Sequence, residues 1–126
     1  SILRLSKFLI KKYKIKPENI LGHSDIAPIR KKDPGEKFPW KYLAKNGISF
    51  WHSLSANLLK KNRQVKVSNK DKKLFFINLE KIGYSKNHNL RLIVTAFQRR
   101  FRQDLINGKI DRECLIITNN LIKKYY

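Results

Sequence analysis

The chain has 126 residues, 41% of them hydrophobic and 11% aromatic, a size that suits one ordinary domain or two very small ones. No apolar run approaches the ~18–20 residues of a membrane span, and the single cysteine, Cys114, excludes both an internal disulfide and a thiolate-rich zinc site. The 29 lysines and arginines against 9 acidic residues give a net charge of +20, a field that draws polyanions such as nucleic acid, anionic lipid or an acidic wall polymer. Lysine, isoleucine and asparagine are all over-used, as in an A- and T-rich genome, so the charge alone selects no partner.

Residues 2–14 carry Ile2, Leu5, Phe8, Leu9 and Tyr13 at spacings of three and four, which predicts an amphipathic helix. Its lysines interrupt the uninterrupted apolar core that a signal peptide needs. With no methionine, and the helical pattern already under way at Ile2, the chain is expected to be the C-terminal part of a longer protein. Pro17 breaks the helix, and the short apolar run over residues 19–23 predicts one strand entering a loop. Prolines and glycine between Ser24 and Trp40 leave no room for a regular element, and a loop of that length is usually functional or disordered. A short helix is predicted around Trp40, ended by Gly47.

Residues 60–70 are polar and basic, as a linker between two units would be. Three helices are predicted after it, over about 70–82, about 89–105, and from Asp111 to the end, with Asp111 as N-cap and Glu113 in the first turn. Cys114, set among apolar residues, reads as a small buried hydrophobe.

The chemistry concentrates in GHSDIAPIRKKDPG, Gly22 to Gly35. Catalytic zinc takes three protein ligands from His, Asp, Glu and Cys, with a fourth position open to water. His23 ends the predicted strand, and Asp33 precedes a Pro34–Gly35 turn. Prolines between them reduce the entropy lost when both converge on one ion. Lys31 lies two residues before Asp33, on the same side of an extended segment, where its ammonium would face an oxyanion formed at the metal. On the residues alone, a basic surface loop whose histidine caps or packs remains the alternative.

The longer stretch GHSDIAPIRKKDPGEKFPWKYLAKNGISFW resembles the C-terminal signature of the zinc-dependent N-acetylmuramoyl-L-alanine amidases of the AmpD/AmiD type, the amidase-2 family. The match runs through Gly22, His23, Ser24, Asp25, Ile26, Ala27, Pro28, Arg30, Lys31, Asp33, Pro34 and Gly35. It continues at Phe38, Trp40, Leu43, Gly47, Ile48 and Trp51, and departs at Ile29, Lys32 and Ser49. The resemblance implies Zn2+ held by His23 and Asp33, with Lys31 as the catalytic cation. Asp25 and Arg30 are implied to brace the loop, and Trp40 and Trp51 to pack beneath it. A further zinc-binding histidine and a glutamate base would come from the missing N-terminal part of the catalytic domain. His52 and His88 stand at no ligand position of the family.

IGYSKNHNLRLIVTAFQRRFRQDLINGKID is similar to a three-helix peptidoglycan-binding module, through Ala96, Phe97, Gln98 and Arg99, with Gly108 and Asp111 downstream. The fold class expected is therefore an α/β fragment of the amidase-2 domain (late helix, one strand, long ligand-bearing loop, short helix) over residues 1–59. A basic linker at 60–70 and a small all-α three-helix unit at 71–126 would follow. The expected substrate is peptidoglycan or a muropeptide, and the expected compartment the bacterial periplasm or envelope, with the cytoplasm as alternative. A non-catalytic wall-binding remnant is one rival. A nucleic-acid-binding domain, using Arg99, Arg100 and Arg102 of QRRFRQ, is the less favoured other.

Overall fold

The computed structural model describes residues 2–26, 34, 35, 37–84 and 89–126, without the side chains of His23 and Ser24. Its helices, in chain order, are α1 (Ile2–Tyr13), α2 (His23–Ile26), α3 (Trp40–Lys45), α4 (Ala56–Asn62), α5 (Asn69–Ile82), α6 (Leu90–Phe101) and α7 (Arg112–Tyr125). Local signals fix most of the ends. Ser68 and Asp71 form a reciprocal capping box at the start of α5, and Gly83 closes it at φ 123°. Asp111 caps α7 by accepting the Cys114 amide at 3.0 Å, and Ser55 caps α4 by accepting the Leu58 amide at 3.2 Å.

The strand expected over residues 19–23 does not form. Pro17–Asn19 is a 3-10 turn, Ile20 is extended at φ −98° and ψ 104°, and His23 already begins α2. A strand exists only by pairing, and there is no second strand among the described residues. The Ile20 carbonyl is satisfied instead by the Arg100 guanidinium at 3.0 Å and the Ser49 hydroxyl at 3.2 Å. The proline-rich segment correspondingly opens with one helical turn rather than with irregular chain. α6 stops at Phe101, short of the expected 105, because Arg102 leaves helical geometry at φ −141° and turns its Nε back to the Leu105 carbonyl.

The main core gathers Phe75, Leu79 and Ile82 of α5, Ile93, Val94, Phe97 and Phe101 of α6, and Cys114, Ile117 and Leu121 of α7. Phe50 inserts into it from the segment after α3, edge-on to Phe101 and Tyr125 at 5.5 and 5.6 Å. A smaller cluster of Trp40, Leu43 and Ile48 takes Leu3 and Ile10 of α1. Neither belongs to the predicted stripe, whose residues Ile2, Leu5, Phe8, Leu9 and Tyr13 are all exposed, the first three and Tyr13 by more than half.

Residues 63–65 are pinned to the end of the chain. Arg63 bonds Glu113 through Nε and Nη2 and Asp104 through Nη1, the Gln64 amide meets Asp111, and the Arg112 amide meets the Val65 carbonyl. Glu113 is wholly buried between Arg63 and Arg102, and Arg102 also pairs with Asp111.

The Ala96–Phe97–Gln98 signature has a structural account of its own. Buried Gln98 accepts the amides of Asn107 and Gly108 at 3.0 and 2.8 Å and donates to the Lys109 carbonyl at 2.9 Å. Gly108, at φ 69°, lies so close to α6 that a Cβ would stand 2.9 Å from Arg91 Cγ. Burial pushes the Cys114 thiol up to about 11, which leaves it an inert core residue.

Candidate functional site

The His23 segment is held from behind. Gly22 is buried, and its amide donates to Asp25 Oδ2 at 2.9 Å, closing the first turn of α2 on its own carboxylate. Asp25 is only 2% exposed, and both its oxygens have further partners. Arg100 Nη1 donates to Oδ2 at 2.6 Å, and the Tyr84 hydroxyl donates to Oδ1 at 2.5 Å. Burial first, and the Asp25 charge second, push the Tyr84 phenol well above its usual range, so it remains a donor. Arg100, 1% exposed, spreads its guanidinium over the Trp40 ring at 3.6 Å and also reaches Ser49 Oγ and the Ile20 carbonyl. One ion pair thus joins α2 to α6, across 75 residues of sequence.

Of the residues assigned to the site from sequence, the structure describes Asp25 and the backbone of His23. His23 is the first residue of α2, and Asp25 sits in the network above. Arg30, Lys31 and Asp33 lie outside the described residues, as does His88. The arginine that meets Asp25 among the described residues is Arg100, with Tyr84 and Ser49 beside it, and all three lie outside the Gly22–Gly35 motif.

One signal in the sequence could have found Arg100. It stands three residues after Phe97 and seven after Ile93, on the apolar stripe of α6. A charged residue on such a stripe needs a buried partner. Trp40 and Trp51 both pack: Trp40 lies under Arg100 and edge-on to Phe38 at 4.7 Å, and Trp51 lies against Phe101 at 5.3 Å.

Gly22 is required by close approach. A Cβ built on it would stand 2.5 Å from Pro34 Cδ and 3.1 Å from Trp40 Cζ2. Gly22→Ala is therefore expected to separate the two ends of the loop and to cost about 1–3 kcal/mol, as overpacking does. A lower urea midpoint with an unchanged slope would show it, and an unchanged midpoint would mean the loop ends yield freely.

His52 turns one ring nitrogen to its own segment. Its Nδ1 accepts the Leu54 amide at 3.2 Å, and burial, followed by the charges of Lys41 and Lys124, lowers the imidazole to about 4. No group of three or more His, Cys, Asp and Glu able to hold a metal exists among the described residues. Arg100 and Arg102 are buried in ion pairs, so the basic face imagined for QRRFRQ does not reach solvent as drawn from sequence. None of the described helices is long and apolar enough to cross a membrane.

No protein-family model matches the chain. The N-acetylmuramoyl-L-alanine amidase AmiD of Escherichia coli K12 is 37% identical over an aligned 131 residues, covering 99% of this chain and 47% of that protein. The structure of E. coli AmiD in complex with anhydro-N-acetylmuramic acid-L-Ala-D-γ-Glu-L-Lys superposes with a TM-score of 0.83 at 36% identity, over 98% of this chain and 50% of the other. AMPDH3 of Pseudomonas aeruginosa, at 30% identity, gives 0.81 over 98% and 51%. The chain spans about half the length of the relatives it matches. Across that half it is homologous to the N-acetylmuramoyl-L-alanine amidases of the AmiD/AmpD type and shares their fold.

Proposed function

We propose that this chain supplies part of the active site of a zinc-dependent amidase that cleaves the bond between N-acetylmuramic acid and L-alanine in peptidoglycan or its fragments. The observation that carries the reading is likeness along nearly the whole chain, 37% identity over 99% of it, to an enzyme named for that reaction. The donor set fits the metal in kind: His23 gives an imidazole and Asp33 a carboxylate, the N and O ligands Zn2+ accepts. It falls one short of the three protein ligands of a catalytic site, so the third ligand and the general base belong, on this reading, to the half of the relatives that this chain does not span. Bound zinc would polarise the amide carbonyl and lower the pKa of a water.

The chain's own contributions are two ligands, a cation and a brace. Lys31 would stabilise the oxyanion that develops on the carbonyl. Asp25, gripped by Arg100 and Tyr84, fixes the turn on which His23 stands. The open stripe of α1 supports the same reading, because a fuller catalytic domain would cover it. Residues 1–59 would then be catalytic, 60–70 a connector, and 71–126 a peptidoglycan-binding unit. The site of action would be the periplasm or envelope, with the cytoplasm as alternative.

With zinc supplied, the chain alone is expected to release no peptide from purified peptidoglycan. Fused to the remaining half of the E. coli relative, it is expected to release peptide. Lys31→Ala in that chimera should lower kcat by about 10²–10³-fold with zinc content unchanged. A folded, zinc-loaded chimera that is inert would leave wall binding without catalysis as the function. Indifference to Lys31→Ala would remove that residue from the chemistry.

A further inference from the structure

A cleft of about 600 Å3 opens between α3, the segment from Trp51, α4, the C-terminal end of α6 and both ends of α7. Neither Gly22, Asp25 nor Pro34 lines it. That volume suits a small-molecule-sized ligand, such as a peptide of a few residues.

Its charges do not cancel. The two acids on its wall, Asp104 and Glu113, are both held by Arg63, and Glu113 also by Arg102. Lys41, Lys45, Lys60 and Lys124 remain around it, and none of the four pairs with an acid among the described residues. Lys124 is pre-positioned, its Nζ donating to the Trp51 carbonyl at 3.1 Å.

Between the lysines lie Trp51 and His52, whose rings stand 5.1 Å apart at 32°. With Nδ1 of His52 taken up by the Leu54 amide, the proton of the neutral imidazole sits on Nε2, a donor for a ligand in the cleft. The fields of Lys41 and Lys124 both reach this imidazole and, after burial, account for its lowered pKa. Lys41 of α3 and Lys124 of α7 line the same cleft as this imidazole.

We propose that this cleft binds a short acidic peptide, with its carboxylates between Lys41 and Lys124 and its body against Trp51. The site stands on the cleft's own geometry. Only the source of the peptide, the stem peptide of peptidoglycan rather than a free acidic peptide, rests on the amidase reading.

The His52 C2–H resonance provides the test, because an anion beside Lys41 and Lys124 must raise the imidazole pKa. The full chain would be titrated with N-acetyl-L-Ala-D-γ-Glu-L-Lys, a stem tripeptide whose two carboxylates outnumber its one ammonium, with tri-L-glutamate, and with inorganic phosphate at matched ionic strength. The stem tripeptide is expected to raise the His52 pKa by about one unit. Lys41→Gln combined with Lys124→Gln, both at exposed positions, is expected to weaken that binding about fivefold or more. It should also raise the pKa without ligand.

Response to triglutamate but not to the tripeptide would confirm the cleft and overturn the wall as the source. No response to either peptide would overturn the site. So would an equal effect of phosphate, or binding unchanged in the double variant, since a diffuse basic surface would behave in those ways. Binding is read without catalysis, so an inert chimera that still binds sinks the amidase reading alone, and an active one with a silent His52 sinks the cleft alone.

Discussion

Arg100→Ala is expected to destabilise the chain by about 3–5 kcal/mol, the usual cost of leaving one member of a buried ion pair without the other. Asp25, at 2% exposure, would be left, among the described residues, with the Gly22 amide and the Tyr84 hydroxyl. The loss reaches further, since the Ile20 carbonyl and Ser49 Oγ lose a donor and the Trp40 ring loses the guanidinium above it.

Charge and cavity can be separated. Arg100→Met fills the space but strands Asp25, and should cost nearly as much as alanine. Asp25→Asn joined to Arg100→Met removes the stranded charge and should recover part of the loss, giving a favourable coupling in the double-mutant cycle. Tyr84→Phe should cost less, about 1–3 kcal/mol, for one bond lost to a buried carboxylate. Urea denaturation of these four variants and of Asp25→Asn alone decides the matter; additive costs in the cycle would mean that Arg100 acts through packing alone.

The same contact bears on how the chain unfolds. Phe50 lies in the main core with residues of α5, α6 and α7, and the Asp25–Arg100 pair ties the His23 turn to α6. Perturbing that pair should therefore shift one cooperative transition reported both by Trp40, near the loop, and by far-ultraviolet helicity. A C-terminal unit that melted separately would show two transitions.

What could be read from the sequence was local. Asp111, three residues before the amide it caps, is a short-range signal, and α7 begins where that signal places it. The run from Gly22 to Trp51 was legible because each residue sits at a fixed spacing from the next. The Asp25–Arg100 pair was not, because no periodicity links residues 75 apart.

The positive charge hid it further: among 29 basic residues, an arginine on an apolar stripe draws little notice. The strand over 19–23 failed for a related reason, since an apolar run names a candidate strand but never its partner. α4 is hidden in the sequence although Ser55 offers a cap, because the lysines at its end read as the start of a linker.

The stability of the chain is also expected to fall by about 3 kcal/mol between pH 6.5 and pH 4 on account of His52 alone. The folded protein lowers this imidazole from 6.5 to about 4, through burial first and then Lys41 and Lys124. Between those two values the unfolded chain takes up a proton that the folded chain refuses, so acid favours unfolding across the window and stability is regained as the pH rises through it. Protonation would also remove the acceptor that His52 Nδ1 offers the Leu54 amide.

His52→Gln has no charge to gain in this range, so its stability should be flatter with pH, and the difference between the two curves isolates the imidazole from carboxylates that titrate near its lower end. Urea midpoints at pH 7.5, 6, 5 and 4.5 test this directly. Parallel curves would mean that His52 opens to water without cost, and the cleft would then lack the fixed donor on which its ligand depends. A widening gap towards low pH would establish a neutral, pre-oriented imidazole among the lysines.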